Sequence, residues 1–158
     1  MKICHLSAEY APLAKTGGLG DVAAGLCPAL KAAGHDVRPF LPMYRTGNHE
    51  GLDLRAVEFM SAIPIQMGAH RYDVTAFSAE LPSGLRIYLI HCPALFDRDG
   101  FYTSDWDEPL RFGVFCRAAL GSWAEAWLKH LVDKGLKYST CANYCNSLCM
   151  VGSYVYDT

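Results

Sequence analysis

The length, composition and charge of the chain indicate a folded domain that does not bind nucleic acid. Its 158 residues are 51% apolar and 19% charged, which argues against disorder. A domain of this length buries roughly 70% of the surface that its unfolded chain exposes, so it can form a core. A net charge of -2 gives no electrostatic basis for nucleic-acid binding, so a small neutral or anionic ligand is expected.

The N-terminal residues contain no apolar run that would suit a signal sequence or the ~20 residues of a membrane span. The sequence therefore predicts a cytoplasmic protein without a membrane partner. Seven cysteines form an odd number, which favours reduced thiols over a disulfide framework. Four of them lie within apolar patterns and are predicted to be core residues: Cys4, Cys27, Cys92 and Cys116.

The first elements in chain order predict a βαβ unit. Residues Lys2 to Ala8 are typical of a buried parallel strand, and His5 within that strand is interpreted as a satisfied core residue. From Leu19 to Ala33 apolar residues recur every three or four positions, which predicts an amphipathic helix that ends at Gly34. Val37 to Leu41 predicts the second strand of a parallel pair, and Met43 to Asp53 a mobile loop at the carboxyl edge of the sheet.

The second half of the chain predicts a hairpin, a returning strand and a long helix. Three extended runs follow one another, separated by Met67-Gly68-Ala69 and by Pro82-Ser83-Gly84, which are typical turn sequences: Ala56 to Gln66, His70 to Phe77 and Leu85 to His91. From Asp105 an apolar stripe predicts a helix that is interrupted at Gly121 and runs toward Val132.

A glycine-rich turn, Lys15 to Asp21, separates the first strand from the first helix. Backbone N–H groups are free at such a place and the helix dipole is positive there. The glycines let the backbone approach a ligand and Lys15 adds a point charge, so the turn is predicted to bind an anion. The spacing fits neither the dinucleotide fingerprint nor the P-loop, and the alternative is a turn that uses glycine for steric reasons alone.

The segment Ser7 to Val22, read in full, closely resembles the N-terminal signature of bacterial glycogen synthases and plant starch synthases. The resemblance continues through Ala32 to Tyr44 and through Phe96 to Tyr102, followed by Asp105, Arg111 and Phe112, and it covers roughly residues 1 to 120. It implies an α/β fold: a Rossmann-like parallel sheet with an added hairpin, forming part of the N-terminal domain of a two-Rossmann-domain glycosyltransferase. Residues 121–158 would then be a divergent helical or weakly ordered tail.

The resemblance also implies a substrate site. Lys15 and the backbone of Gly17 and Gly18 would meet the diphosphate of ADP-glucose, while Glu9 and Asp21 would line the glucose or acceptor side. An acidic residue in the first turn of a helix is also favourable without any function, which is the structural alternative for Asp21. A further substrate position, Phe96, usually holds tyrosine in the family, so one possible hydrogen bond is missing here.

The implied activity is transfer of glucose, with retention of configuration, from ADP-glucose to the non-reducing end of an α-1,4-glucan. Neither a metal nor another cofactor is expected, and a plant member would lie in the plastid.

After Leu120 the chain departs from the family pattern, and a His-Ala-His-Asp-Trp-like segment with a catalytic histidine does not appear in the sequence. The sequence therefore predicts no complete catalytic set and an inactive fragment.

Two other functions remain open from the residues. One is a non-catalytic module that binds a nucleotide-sugar or a glucan. The other, less in keeping with the glycine spacing, is a nicotinamide oxidoreductase domain. In the tail, Cys141, Cys145 and Cys149 would share one face of a helix. A zinc or iron-sulfur site there lacks both the usual two-residue spacing and a fourth ligand, so incidental thiols are the other interpretation.

Overall fold

The computed structural model describes residues 1–133, with side chains described for residues 1–121. Contacts divide the chain after Ala119, and the packing described below is that of Met1–Ala119. This part is an α/β structure in which a six-stranded mixed sheet carries the core. The α/β fold class expected from the sequence is confirmed.

The first three elements form the expected βαβ unit. Strand β1 (Lys2–Leu6) leads through the glycine-rich turn into helix α1 (Gly18–Ala32), and strand β2 (Asp36–Pro42) returns. β1 and β2 are parallel, in a register that runs from Lys2 opposite Asp36 to Leu6 opposite Phe40. The two strands therefore end at the same edge of the sheet.

Gly34 ends the first helix by a specific hydrogen-bond pattern. Its φ is +85°, a left-handed conformation that glycine adopts without the steric cost of a Cβ. The amide of Gly34 donates to the Lys31 carbonyl at 2.9 Å and the amide of His35 donates to the Leu30 carbonyl at 3.2 Å. These two bonds make a Schellman motif, as the position of the glycine in the sequence indicates.

The prediction of one strand from Ala56 to Gln66 is wrong. The segment contains a two-residue strand β3 (Arg55–Ala56), a 3-10 turn (Glu58–Met60) and strand β4 (Ile63–Met67). β3 and β4 run in the same direction, both antiparallel to the strand His70–Glu80, and the chain between them ends at Ala62, which has a φ of 53° and whose amide donates to the Thr75 hydroxyl at 3.1 Å. Residues 57–62 therefore leave the ladder between two stretches that pair with different parts of one neighbouring strand.

Strands β5 (His70–Glu80) and β6 (Arg86–His91) complete the sheet. β4 and β5 form the predicted hairpin, with Gly68 at a φ of +59° in its turn. β6 is antiparallel to β5 and parallel to β2, and the strand order is β1-β2-β6-β5-β3, with β4 paired to β5. The parallel half, β1-β2-β6, therefore adjoins an antiparallel half.

Two helices follow the last strand. Helix α2 (Pro93–Phe96) is a single turn, and helix α3 runs from Glu108 to Asp133. The interruption predicted at Gly121 is wrong, because the helix continues through that residue; one glycine costs a helix only about 1 kcal/mol. None of the helices among residues 1–133 is long and apolar enough to cross a membrane.

The cysteines follow their predicted burial in part. Cys27 and Cys92 are buried, whereas Cys4 and Cys116 are half-buried, and all four are free thiols. His5 is half-buried, but it is not a satisfied core residue, since its buried Nε2 atom has no hydrogen-bond partner. Burial lowers the pKa of His5, so the uncharged ring is favoured in a site that offers Nε2 no partner. Cys141, Cys145 and Cys149 lie outside the described residues.

Candidate functional site

Segments from all three parallel strands meet at the carboxyl edge of the sheet. Residues 7–17 follow β1, residues 43–53 follow β2, and α2 with residues 97–107 follows β6. Ligands of open α/β sheets bind in this region, because it is where connecting loops converge. The amide of Asn48, after β2, donates to the carbonyl of Leu13, after β1, at 2.7 Å, so the loop that follows β2 contacts the segment just before Lys15.

The segment before Lys15 is a small closed loop packed against the start of α1. Tyr10 and Ala14 exchange two backbone hydrogen bonds of 2.9 Å, and the Ala11–Pro12 peptide is cis. The amide of Ala11 donates to the Gly20 carbonyl at 3.0 Å. A Cβ on Gly20 would lie 3.2 Å from the Ala14 carbonyl oxygen. Close packing within the protein therefore leaves little room for a side chain at Gly20.

The other two glycines of the turn are not explained by packing. A Cβ on Gly17 or on Gly18 would meet no atom within 4 Å. Gly17 has a φ of -151°, which any residue adopts, and neither glycine has a positive φ. The amides of Gly18 and Leu19, in the first turn of α1, have no hydrogen-bond acceptor among the described residues. This space and these amides are therefore open to an anionic ligand.

The preceding amides of the turn are already occupied by a buried carboxylate. Glu9 is 3% exposed, and its Oε2 accepts bonds from the amides of Thr16 at 2.9 Å and Gly17 at 3.2 Å. Its Oε1 accepts from the Thr16 hydroxyl at 2.7 Å and from the Tyr102 hydroxyl at 2.9 Å. The amides of Thr16 and Gly17 are therefore not available to a ligand.

The ionisation of Glu9 follows from these contacts. Burial alone would raise the pKa of Glu9, but the hydrogen bonds from Thr16, Tyr102 and Gly17 favour the charged form more strongly and lower the pKa to about 2. The carboxylate is therefore charged at neutral pH. Its negative charge lies inside the protein, where it accepts hydrogen bonds from the amides of the turn.

Lys15 and Asp21 form an ion pair across the opening of the helix. Lys15 Nζ lies 2.8 Å from the Asp21 carboxylate, and the two side chains are 48% and 59% exposed. Such surface pairs contribute only about 0–1 kcal/mol. The ammonium group is therefore held at the first turn of α1 by a weak interaction, with Asp21 as its partner.

Phe96 is placed in the core. It is 1% exposed, its ring packs edge-on against Tyr44 with centroids 5.6 Å apart, and the Arg111 guanidinium lies 5.4 Å from its centroid. Arg111 itself is fully buried, and its Nε donates to the Leu95 carbonyl at 2.8 Å. The structure therefore accounts for Phe96 by packing and does not bring it together with the other site residues.

The structure thus gathers five of the six residues expected at the site around one turn: Glu9, Lys15, Gly17, Gly18 and Asp21. Sequence reasoning missed Thr16 and Tyr102 as partners of Glu9. Both lie within the segments that carried the family resemblance, which was the available signal. Among the described residues, no cluster of three or more His, Cys, Asp or Glu side chains suits a metal ion.

Comparison with known proteins identifies the class and then the family. The fold matches a glycosyltransferase catalytic domain: the starch synthase IV catalytic domain of Arabidopsis thaliana, solved with ADP and acarbose, superposes with a TM-score of 0.64 at 33% identity, over 86% of this chain and 26% of that one. The family model described as the starch synthase catalytic domain matches residues 2–133. The chain belongs to this family.

Bacterial relatives agree with this assignment. The chain is similar to a glycogen synthase of Moorella thermoacetica, 39% identical over 129 residues, which are 79% of this chain and 25% of the relative. It is also similar to a glycogen synthase of Paramagnetospirillum magneticum, 41% identical over 135 residues, 81% of this chain and 25% of the relative. The chain therefore spans about a quarter of the length of the curated relatives it matches.

Proposed function

We propose that the chain forms the donor-phosphate side of a glucosyltransferase that moves glucose from ADP-glucose to the non-reducing end of an α-1,4-glucan with retention. Family membership and similarity to bacterial glycogen synthases support the reaction class. The nucleotide is supported by the Arabidopsis domain, which was solved with ADP. The acarbose in that structure is a carbohydrate, which supports a glucan acceptor.

One observation carries the proposal: Gly17 and Gly18 leave open space that no packing or backbone requirement explains. The free amides of Gly18 and Leu19 and the ammonium of Lys15 border this space. Glucosyl transfer from ADP-glucose breaks the bond between the glucosyl carbon and the diphosphate and releases ADP, and donors already aimed at the charge of that leaving group lower the barrier. The amides of Gly18 and Leu19 supply such donors without reorganising.

Ligand binding in this proposal exchanges the partner of Lys15. A diphosphate carries more negative charge than one carboxylate, so it replaces Asp21 at the ammonium group. The released Asp21 carboxylate, already 59% exposed, is then available to accept hydrogen bonds from sugar hydroxyls. Glu9 acts differently, because its two oxygens are occupied by Thr16, Gly17 and Tyr102.

The chain alone is proposed to bind the donor without transferring glucose. The catalytic histidine segment expected from the family is not in its sequence. A binding module without transfer is the alternative function. Incubation of the full chain with ADP-glucose and a maltodextrin tests the expected lack of transfer, since release of ADP together with elongated glucan would show that the chain transfers glucose by itself.

Titration calorimetry with ADP-glucose and with ADP tests the binding proposal on the full chain. Lys15→Met removes the ammonium group while keeping most of the side-chain volume, and it should weaken binding by about 5- to 30-fold, the loss of one charge-assisted contact worth roughly 1–2 kcal/mol.

Lys31→Met is the matched control, because Lys31 is an exposed lysine in the last turn of the same helix. Its affinity should equal that of the wild type. If Lys15→Met binds as tightly as Lys31→Met, the phosphate role of Lys15 fails.

A further inference from the structure

Tyr102 connects two loops that leave different strands. It lies between α2 and α3, in the segment that follows β6, whereas Glu9 follows β1. The Tyr102 hydroxyl donates to Glu9 Oε1 at 2.9 Å across 93 positions of sequence. The Tyr102 side chain is otherwise accessible, since the residue is 45% exposed. Its ring lies tilted toward Phe112, with centroids 6.1 Å apart.

The tyrosine completes the hydrogen bonding of a buried carboxylate. Each oxygen of Glu9 accepts two bonds: Oε2 from the amides of Thr16 and Gly17, and Oε1 from the hydroxyls of Thr16 and Tyr102. Without Tyr102, Oε1 would keep only the Thr16 hydroxyl, and the carboxylate would be held less firmly against rotation about its bond to Cγ. Rotation would misalign Oε2 with both amides of the turn.

We propose that Tyr102 is a positioning residue for a nucleoside diphosphate. By fixing the orientation of Glu9, it holds the amides of Thr16 and Gly17 in place, so that the next amides, of Gly18 and Leu19, stay aimed at the ligand. This inference rests on the proposed function. Tyr102 acts through Glu9 and does not itself touch the ligand.

The loop that carries Tyr102 is anchored by other contacts, which makes the hydroxyl separable from the loop. Arg98 donates to Asp105 at 2.8 Å and to Asp107 at 2.9 Å. The Thr103 amide and hydroxyl contact the Glu108 carboxylate at 2.9 and 3.0 Å. Tyr102→Phe keeps the ring beside Phe112 and leaves these bonds intact, so the variant is expected to fold.

The experiment compares Tyr102→Phe with Thr103→Val in the full chain. Thr103→Val removes a hydroxyl from the adjacent position of the same loop without touching Glu9, so it controls for any general loosening of the loop. ADP is the probe for calorimetry. A second readout is the Glu9 carboxyl, followed by carbon-detected NMR as the pH is lowered, together with hydrogen exchange at the amides of Thr16 and Gly17.

We expect Tyr102→Phe to weaken ADP binding by up to about tenfold, because the loss cannot exceed the worth of the hydrogen bond that positions Glu9. The pKa of Glu9 should rise from about 2, and the two amides should exchange faster. Thr103→Val should change none of these quantities. Thr16→Val removes the other bond to Oε1 and should reproduce the loss seen with Tyr102→Phe.

The possible failures are distinguishable. If wild-type protein does not bind ADP, the proposed function falls and takes the ligand role of Tyr102 with it. If the wild type binds ADP and Tyr102→Phe binds equally well, or leaves the Glu9 carboxyl titrating as before, the inference is overturned while the proposed function stands. An equal loss of affinity in Thr103→Val would also overturn it, since the effect would then belong to the loop.

Discussion

Gly20 lies against the carbonyl of Ala14 so closely that a Cβ on Gly20 would come within 3.2 Å of that oxygen, and within 3.3 Å of the Ala11 amide nitrogen. Both neighbours are backbone atoms of the closed loop before Lys15, and the Ala11 amide also bonds to the Gly20 carbonyl. The glycine thus determines how near that loop sits to the helix.

Substitution of Gly20 should depend steeply on side-chain size. Alanine crowds the loop by a few tenths of an ångström but gains about 1 kcal/mol of helix propensity, so Gly20→Ala should be near neutral. Valine has no room, and Gly20→Val should lose at least about 2 kcal/mol of unfolding free energy, as overpacked sites do. Urea denaturation measures both variants.

Gly25 provides the control in the same helix. It is exposed, and a Cβ there would meet nothing within 4 Å. Gly25→Val should therefore be no less stable than the wild type. If Gly20→Val is equally stable, the close approach of the loop is not a constraint on this position.

The low pKa of Glu9 predicts a specific loss of stability in acid. Its pKa falls from 4.5 to about 2 on folding, so ionised Glu9 stabilises the folded state fully above about pH 4.5, and this stabilisation disappears as the pH falls toward 2. Glu9→Gln should lower the unfolding free energy at pH 7 by up to about 3 kcal/mol. The deficit should shrink at pH 3.

Urea denaturation at pH 7, 4 and 3 follows this difference. Glu50→Gln, which removes an exposed carboxylate, should track the wild type throughout. A constant gap between Glu9→Gln and the wild type across this range would show that the charge of Glu9 does not contribute to stability.

The buried arginine of α3 should be more important for stability than an exposed one six residues later. Arg111 is fully buried and contacts the Leu95 carbonyl, the Glu108 carboxylate and the rings of Phe96 and Phe112. Arg111→Met leaves Glu108 without its cation and should cost about 3 kcal/mol.

Arg117→Met is the comparison for Arg111→Met. Arg117 is exposed and donates one bond to the Gln66 carbonyl at 3.0 Å. Its loss should cost less than about 1 kcal/mol. Equal thermal midpoints for the two variants would contradict the role assigned to Arg111.

The thiols of β1 and α1 should be unreactive in the folded protein. Burial raises the pKa of Cys4 to about 12 and that of Cys27 to about 11, and the thiolate is the reactive form. Alkylation of both by iodoacetamide at pH 8 should be on the order of 100-fold slower than in urea. Peptide mapping separates these two residues from the remaining cysteines, and rapid labelling of Cys27 without urea would contradict its burial.

Local patterns predicted the βαβ unit and the glycine turn, because all the residues that form them lie within some forty consecutive positions. The apolar period of α1 and the position of Gly34 fix that helix and its end. The break between β3 and β4 was missed because Val57, Phe59, Met60 and Ile63 keep an extended, apolar pattern across it. The break involves a bond from the Ala62 amide to the Thr75 hydroxyl of another strand.

In the candidate site too, contacts between sequence neighbours were predictable and contacts between distant segments were not. Lys15, Gly17, Gly18 and Asp21 are neighbours in sequence, so their proximity follows from the turn. The contacts of Glu9 with Tyr102, and of Phe96 with Tyr44 and Arg111, join distant segments. No periodicity encodes such pairs, so only the folded chain distinguishes the carboxylate that supports the turn from the aromatic ring that packs in the core.

The bond from the Asn48 amide to the Leu13 carbonyl has a consequence for how this protein can change in length. Residues inserted between β2 and Asn48 would lengthen the loop whose Asn48 amide bonds to Leu13. They would displace Lys15 even though the sheet stayed intact. The same insertion placed after His49, near the exposed Glu50, would extend into solvent and leave the bond from Asn48 to Leu13 unchanged. Tolerance of inserted residues should therefore change abruptly within this one loop.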